Sequence, residues 1–160
     1  MIRFVAMTLA AWSMLAGFAL AQPPQVDVPD AAQAAGATVD RFFAALSAGD
    51  LDRAGAELDP LVIILEAGGA EHSAAEYLAG HAKSDAEFLK GARPRLLRRT
   101  AKVSGEFAWI VSESELDVQE DGNSVAIASA ETMVLRSTDA GWRIVHIHWS
   151  SRVRKPAPAD

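Results

Sequence analysis

The sequence predicts an α+β domain in which three helices pack against one strongly curved antiparallel sheet. Three observations carry that reading. Apolar residues follow helical spacing between residues 30 and 91, while residues 96–154 read as strands separated by tight turns. The last strand, Gly141 to Ser151, alternates its side chains and carries two histidines and two of the four tryptophans.

Before the domain comes a leader. Met1-Ile2-Arg3 is a positively charged start, Phe4 to Phe18 is almost wholly apolar, and Ala19-Leu20-Ala21 places small residues where a signal peptidase requires them. Residues 1–21 are therefore expected to be a signal peptide cleaved near Ala21-Gln22, giving a periplasmic or secreted protein. The apolar run is short for a membrane span, so no stable membrane insertion is expected after cleavage; uncleaved, it would be an anchor. Cleavage leaves about 140 residues, enough for one domain with a core. It also removes Arg3, making the chain more acidic than the net −6 of the full sequence. An acidic chain without a basic stripe is a poor partner for nucleic acid. With no cysteine, disulfide stapling, thiolate catalysis and zinc–cysteine sites are all excluded.

Gln22 to Pro29 reads as an extended linker and residues 155–160 as a frayed tail, so the domain occupies residues 30–154. Val39, Phe42, Phe43 and Leu46 give the i, i+3, i+4, i+7 stripe of a first helix, from about Asp30 to Gly49. Asp50 caps a second, shorter helix through about Leu58, which Pro60 ends. Leu61 to Leu65 is a buried-strand run bounded by Gly68-Gly69. Ser73-Ala74-Ala75-Glu76 is a capping box opening a third helix that presents Tyr77, Leu78, His81, Phe88 and Leu89 and ends near Gly91. Phe107–Val118 and Ser124–Arg136 flank Asp121-Gly122, a dipeptide suited to a two-residue hairpin. Thr138 to Gly141 turns the chain into the final strand, Trp142 to about Arg154.

Phe42-Phe43 ahead of Gly49-Asp50-Leu51-Asp52, the Leu61–Leu65 strand, and Glu131-Thr132-Met133-Val134-Leu135 followed by Gly141-Trp142-Arg143-Ile144-Val145-His146 resemble the nuclear transport factor 2-like superfamily. Within it they are most similar to SnoaL-like proteins and to the association (hub) domain of calcium/calmodulin-dependent protein kinase II. The resemblance implies a cone-shaped, cystatin-like fold with a pocket at its open end, and frequent dimerisation through the sheet. Arginines that line the hub's pocket fall here on Ser114, Met133 and Trp149, which implies a more neutral and apolar pocket. Ketosteroid-isomerase-like members use an aspartate base opposite a tyrosine or protonated acid; the only tyrosine here is Tyr77. Polyketide-cyclase members need an acidic residue, for which Glu131 is the nearest candidate. Function does not transfer on fold alone.

With Met133 facing the pocket, alternation places Ile127, Ser129 and Glu131 there too. The expected ligand-binding residues are Ser112, Ser114, Ser129, Met133, Ile147 and Trp149. A base (Glu131), an acid (His81) and an orienting phenol (Tyr77) form the candidate catalytic set for proton abstraction beside a carbonyl. In the alternative reading Glu131 pairs with Arg143 or another arginine. His146 and His148 stand at i, i+2 and, with His72 or His81, have the makings of a metal site. Alternation turns them, with Trp142 and Ile144, to the opposite face from Trp149. There they join Ala126, Ala128, Ala130 and Thr132 in a flat patch suited to a homodimer interface. No metal or other cofactor is therefore expected. Arg93, Arg95, Arg98 and Arg99 are read as a solvated run facing Glu113, Glu115 and Asp117. Gly68-Gly69 lacks the Lys-Ser/Thr of a phosphate loop. The leading expectation is an exported domain that binds a small organic molecule in a largely apolar pocket. An isomerase, dehydratase or cyclase is the second reading and a non-catalytic oligomerisation module the third.

Overall fold

A computed structural model describes residues 22–120 and 123–154. The expected leader (1–21), the Asp121-Gly122 turn and the tail (155–160) lie outside the described residues. The chain runs β1 (Gln25–Asp27), a 3-10 turn (Asp30–Ala32), α1 (Gln33–Ser47), α2 (Leu51–Ala56), β2 (Leu58–Glu66), β3 (Gly69–Glu71), α3 (Ala74–Ala79) and α4 (His81–Gly91). Four long strands follow, β4 (Arg93–Ser104), β5 (Phe107–Glu120), β6 (Asn123–Thr138) and β7 (Gly141–Val153). All strands join one seven-stranded sheet in the order β1-β4-β5-β6-β7-β2-β3. The α+β class holds, but the sheet is mixed rather than antiparallel, because β2 runs parallel to β7 and β1 parallel to β4.

Local chemistry explains most boundaries. Val39, Phe42 and Leu46 are fully buried on one face of α1. Gly49, at φ +73°, ends that helix; its N–H bonds Leu46 O at 2.9 Å while Asp50 N–H bonds Ala45 O at 2.9 Å, the paired closure of a Schellman motif. Asp50 then caps α2 by accepting from Arg53 N–H at 3.1 Å.

Four sequence expectations need correction. The helix expected from Ser73 to Gly91 is two helices, broken at Gly80 (φ −114°, ψ −106°). Among the described residues four α-helices therefore replace the three expected. Ser73 Oγ caps α3 through Glu76 N–H, yet the Glu76 carboxylate reaches His72 N–H rather than Ser73's own. Pro60 does not end α2 but lies inside β2, where pairing with β7 slips between Leu58 and Ile63, a place a strand proline is tolerated. The expected linker contributes β1, with Gln25 opposite Arg98.

The fourth correction concerns facing. Val145 is an extra residue, since Val134 pairs with His146 and Leu135 with Ile144. This bulge returns Ile144 to the inner face with Ile147, and both are fully buried. Trp142 packs against the same core. The two histidines stay outside: His148 is exposed, and His146 Nδ1–H donates to Ile63 O at 2.9 Å.

Candidate functional site

Register sorts the inner face of the sheet into bands that cross the strands. Deepest lie Val103, Ala108, Leu135, Ile144 and Leu58, then Ala101, Ile110, Met133, Ile147 and Ile64, nearly all buried in the main core. The next band changes character: Arg99, Ser112, Glu131, Trp149 and Glu66 stand abreast on β4, β5, β6, β7 and β2. Beyond it come Leu96 and a row of hydroxyls, Ser114, Ser129 and Ser151; beyond those, Pro94, Leu116 and Ile127. Over these outer bands α1 and α4 leave a cavity of about 540 Å³, roofed by Phe43 and Leu46 of α1 and by Asp85, Phe88 and Leu89 of α4.

The polar band is wired. Asp40 on α1 receives Arg99 Nη1–H at 2.6 Å, and Arg99 Nε–H donates to Ser112 Oγ at 3.2 Å. The Ser112 hydroxyl donates in turn to Glu131. From the other side Trp149 Nε1–H reaches Glu131 Oε2 at 3.3 Å. Burial nevertheless raises the Glu131 carboxyl above its ordinary value; the two hydrogen bonds and the Arg99 charge only partly oppose it. Trp149 is held by rings: Phe42 stacks at 6.3 Å, with Phe43 at 6.3 Å and Tyr77 at 6.2 Å, both tilted.

A second acidic wall lies at the β2–α4 side. Glu66 is raised by burial and by the Asp85 charge. Asp85 is raised by burial although Tyr77 Oη–H donates to it at 2.8 Å. Burial and the Asp85 charge push the Tyr77 phenol well up.

The SnoaL-like domain profile matches residues 36–154. The chain belongs to the SnoaL-like family. A candidate ketosteroid isomerase from Shewanella frigidimarina NCIMB 400 is similar at 31% identity and TM-score 0.70, over 79% of this chain and 99% of that one. The CaMKII hub of S. rosetta is similar at 21% identity and TM-score 0.67, over 75% and 95%. An NTF2-like protein with a cystatin-like fold from Novosphingobium aromaticivorans gives 19% identity and TM-score 0.63, over 73% and 79%. The last two bear on fold alone, and that fold is the nuclear transport factor 2-like, cystatin-like one. No curated protein sequence matches.

Within this SnoaL-like domain the structure brings Ser114, Ser129, Glu131 and Trp149 to the cavity wall. Ser112 is buried behind Glu131 as its donor. Met133 and Ile147 are fully buried one band deeper, in the core rather than on the cavity surface. The candidate catalytic set does not assemble: Tyr77 is fully buried and meets Asp85. His81, its side chain 59% exposed, pairs with Glu71, whose carboxylate raises the imidazole. Glu131 meets Ser112, Trp149 and, of the arginines, Arg99 rather than Arg143, which falls within the alternative of an arginine partner. Among the described residues no cluster of histidines and carboxylates could hold a metal.

Alternation along the sequence missed Arg99, Glu66 and Asp85. A bulge between Leu96 and Arg98 explains the first. Arg95 and Arg98 point out to Glu115 and Glu113 as expected, but the extra residue, Leu97, turns Arg99 inward. Glu66 lies one residue past the strand run that the sequence marks. Asp85 follows Tyr77 and His81 at i+8 and i+4, a helical spacing that could have flagged it.

Proposed function

We propose that this SnoaL-like domain is exported and binds a small organic molecule in the cavity between α1, α4 and the sheet. The cavity carries the reading: about 540 Å³ falls within the range of small-molecule sites, and a mainly apolar lining with a few fixed polar groups is their usual chemistry. Export rests on the Arg3, Phe4–Phe18 and Ala19-Leu20-Ala21 pattern. Native mass spectrometry of protein purified from its own host tests both parts. The expected species begins at Gln22 and carries a co-purified small molecule. An apo mass, together with no binder from a fragment screen, would overturn the binding reading, and an intact leader would overturn cleavage.

A second reading, proton transfer by Glu131, is favoured by its raised carboxyl and by likeness to a candidate ketosteroid isomerase. Glu131 would take a proton from carbon beside a carbonyl and return it to the conjugated position. Deuterium wash-in from D₂O into a panel of ketones, followed by NMR, is expected to vanish in Glu131→Gln; an unchanged rate would sink this role.

The domain also has a face suited to self-association. Trp109, Val134, His146 and Ile63 stand abreast on the outer sheet, beside Val111, Thr132 and His148, with Ala126, Ala128 and Ala130 farther along β6. Trp109 is 38% and Ile63 43% exposed. A homodimer through this patch is the form we propose. Sedimentation should give twice the subunit mass at micromolar concentration and one subunit for Trp109→Glu; a wild-type monomer would remove the interface.

A further inference from the structure

The polar groups around the cavity are unevenly matched. Among the described residues Arg99 is its one lining cation, and Asp40, which lines the cavity too, already holds it at 2.6 Å. Glu66, Asp85 and Glu131 line the same space, and no lysine or histidine among the described residues does. Four carboxylates thus face the cavity among the described residues, against one cation that Asp40 engages, which leaves Glu66, Asp85 and Glu131 to meet a ligand. Their hydrogen-bond donors come from the protein side: Tyr77 serves Asp85, while Ser112 and Trp149 serve Glu131. An ionised carboxylate has about four lone-pair positions, so acceptor capacity remains toward the cavity.

The apolar part of the lining points the same way. Phe43, Phe88 and Trp149 line the cavity with the carboxylates, Trp149 in contact with Glu131, and Phe88 is 44% exposed. Aromatic rings beside carboxylates suit a cationic ligand, because ring quadrupole and carboxylate charge both attract positive charge in a partly desolvated site. Beyond the hydroxyl row, Pro94, Leu116 and Ile127 would receive an apolar body. The Ser114, Ser129 and Ser151 hydroxyls between these ends have no partner among the described residues, so they can turn to donate or accept.

We propose that the ligand is an organic cation, an apolar body bearing a protonated amine that seats against Glu66, Asp85 and Glu131. This rests on the reading of the cavity as a ligand site. Burial raises all three carboxyls, and the charges of His81, on Glu66 and Asp85, and of Arg99, on Glu131, oppose it only in part; an ammonium group seated among them would hold them ionised. An anionic ligand would meet three like charges.

Calorimetric titration of the purified protein with three probes of one skeleton tests this: 2-naphthylmethylamine, 2-naphthylmethanol and 2-naphthoate at pH 7.5. The amine is expected to bind at least tenfold tighter than the alcohol, and the acid most weakly. Glu66→Gln, at the end of β2, should weaken the amine severalfold and leave the alcohol unchanged. Asp85→Asn should do the same. If the alcohol or the acid matches the amine, or if Glu66→Gln leaves the amine unaffected, the cation assignment is overturned while the cavity keeps its role. If none of the three binds, the cation assignment is likewise overturned, and the ligand-site reading is decided by the native mass spectrum and the fragment screen.

Discussion

Glu131→Gln reports on the site without any ligand. In the folded protein burial raises the Glu131 carboxyl above its ordinary 4.5, whereas in the unfolded chain it titrates near that ordinary value. Between the two values the native state holds a proton that the unfolded state has lost. Stability from this group is therefore complete below about pH 4.5 and declines as pH rises through the raised value, with a limiting slope of about 1.4 kcal/mol per pH unit. The amide cannot titrate, yet its oxygen still accepts from Trp149 Nε1–H, 3.3 Å away in the wild type. Measured by urea denaturation from pH 4 to pH 9, the free-energy difference between variant and wild type should move steadily in the variant's favour across that window, then level off. Glu66 and Asp85 are raised as well, but they titrate in both proteins and largely cancel in the difference. A difference independent of pH would refute the assignment of Glu131 to a desolvated place in the polar band.

Phe42→Ala should cost about 3–5 kcal/mol in chemical denaturation, the range for truncating a buried phenylalanine. The ring is fully buried and stacks on Trp149; a loss under about 1 kcal/mol would mean that the site collapses freely. Tyr77→Phe removes the hydroxyl that donates to Asp85. The Asp85 carboxyl should rise further, and about 1–2 kcal/mol of stability should be lost at neutral pH, less in acid where Asp85 is protonated; an equal loss at both pH values would contradict this. Gly141→Ala meets open space but must hold φ +104°, so backbone strain alone should cost about 1–3 kcal/mol, read as a lower melting temperature.

How far the chain could be read depended on whether a pattern was local. The α1 stripe, the Asp50 and Ser73 caps and the β5–β6 pairing needed only neighbours in sequence, and they formed where expected. Gly80 shows the limit: a glycine in a helical pattern costs about 1 kcal/mol, too little to foretell a break until α3 and α4 pack differently. Alternation worked along β6, which pairs with β5 without interruption from Phe107 to Glu120. It failed across Leu97 and Val145, because each is an extra residue relative to the partner strand and neither bulge carries a glycine to mark it. Those two residues decide where Arg99, Ile144 and Trp142 point.

The sequence by itself determined the α+β class and the family resemblance; the resemblance implied that Ser114, Met133 and Trp149 face the pocket, and backbone alternation then added Ser129 and Glu131 to that face. Tertiary structure alone decided that Arg99, Ser112, Glu131, Trp149 and Glu66 form one band, because neighbours across a sheet are assigned by register between strands far apart in the chain. It also decided which residues the core would keep. Met133 and Ile147 share their strands and their face with Glu131 and Trp149, yet helix packing covers them and leaves the next band open to the cavity.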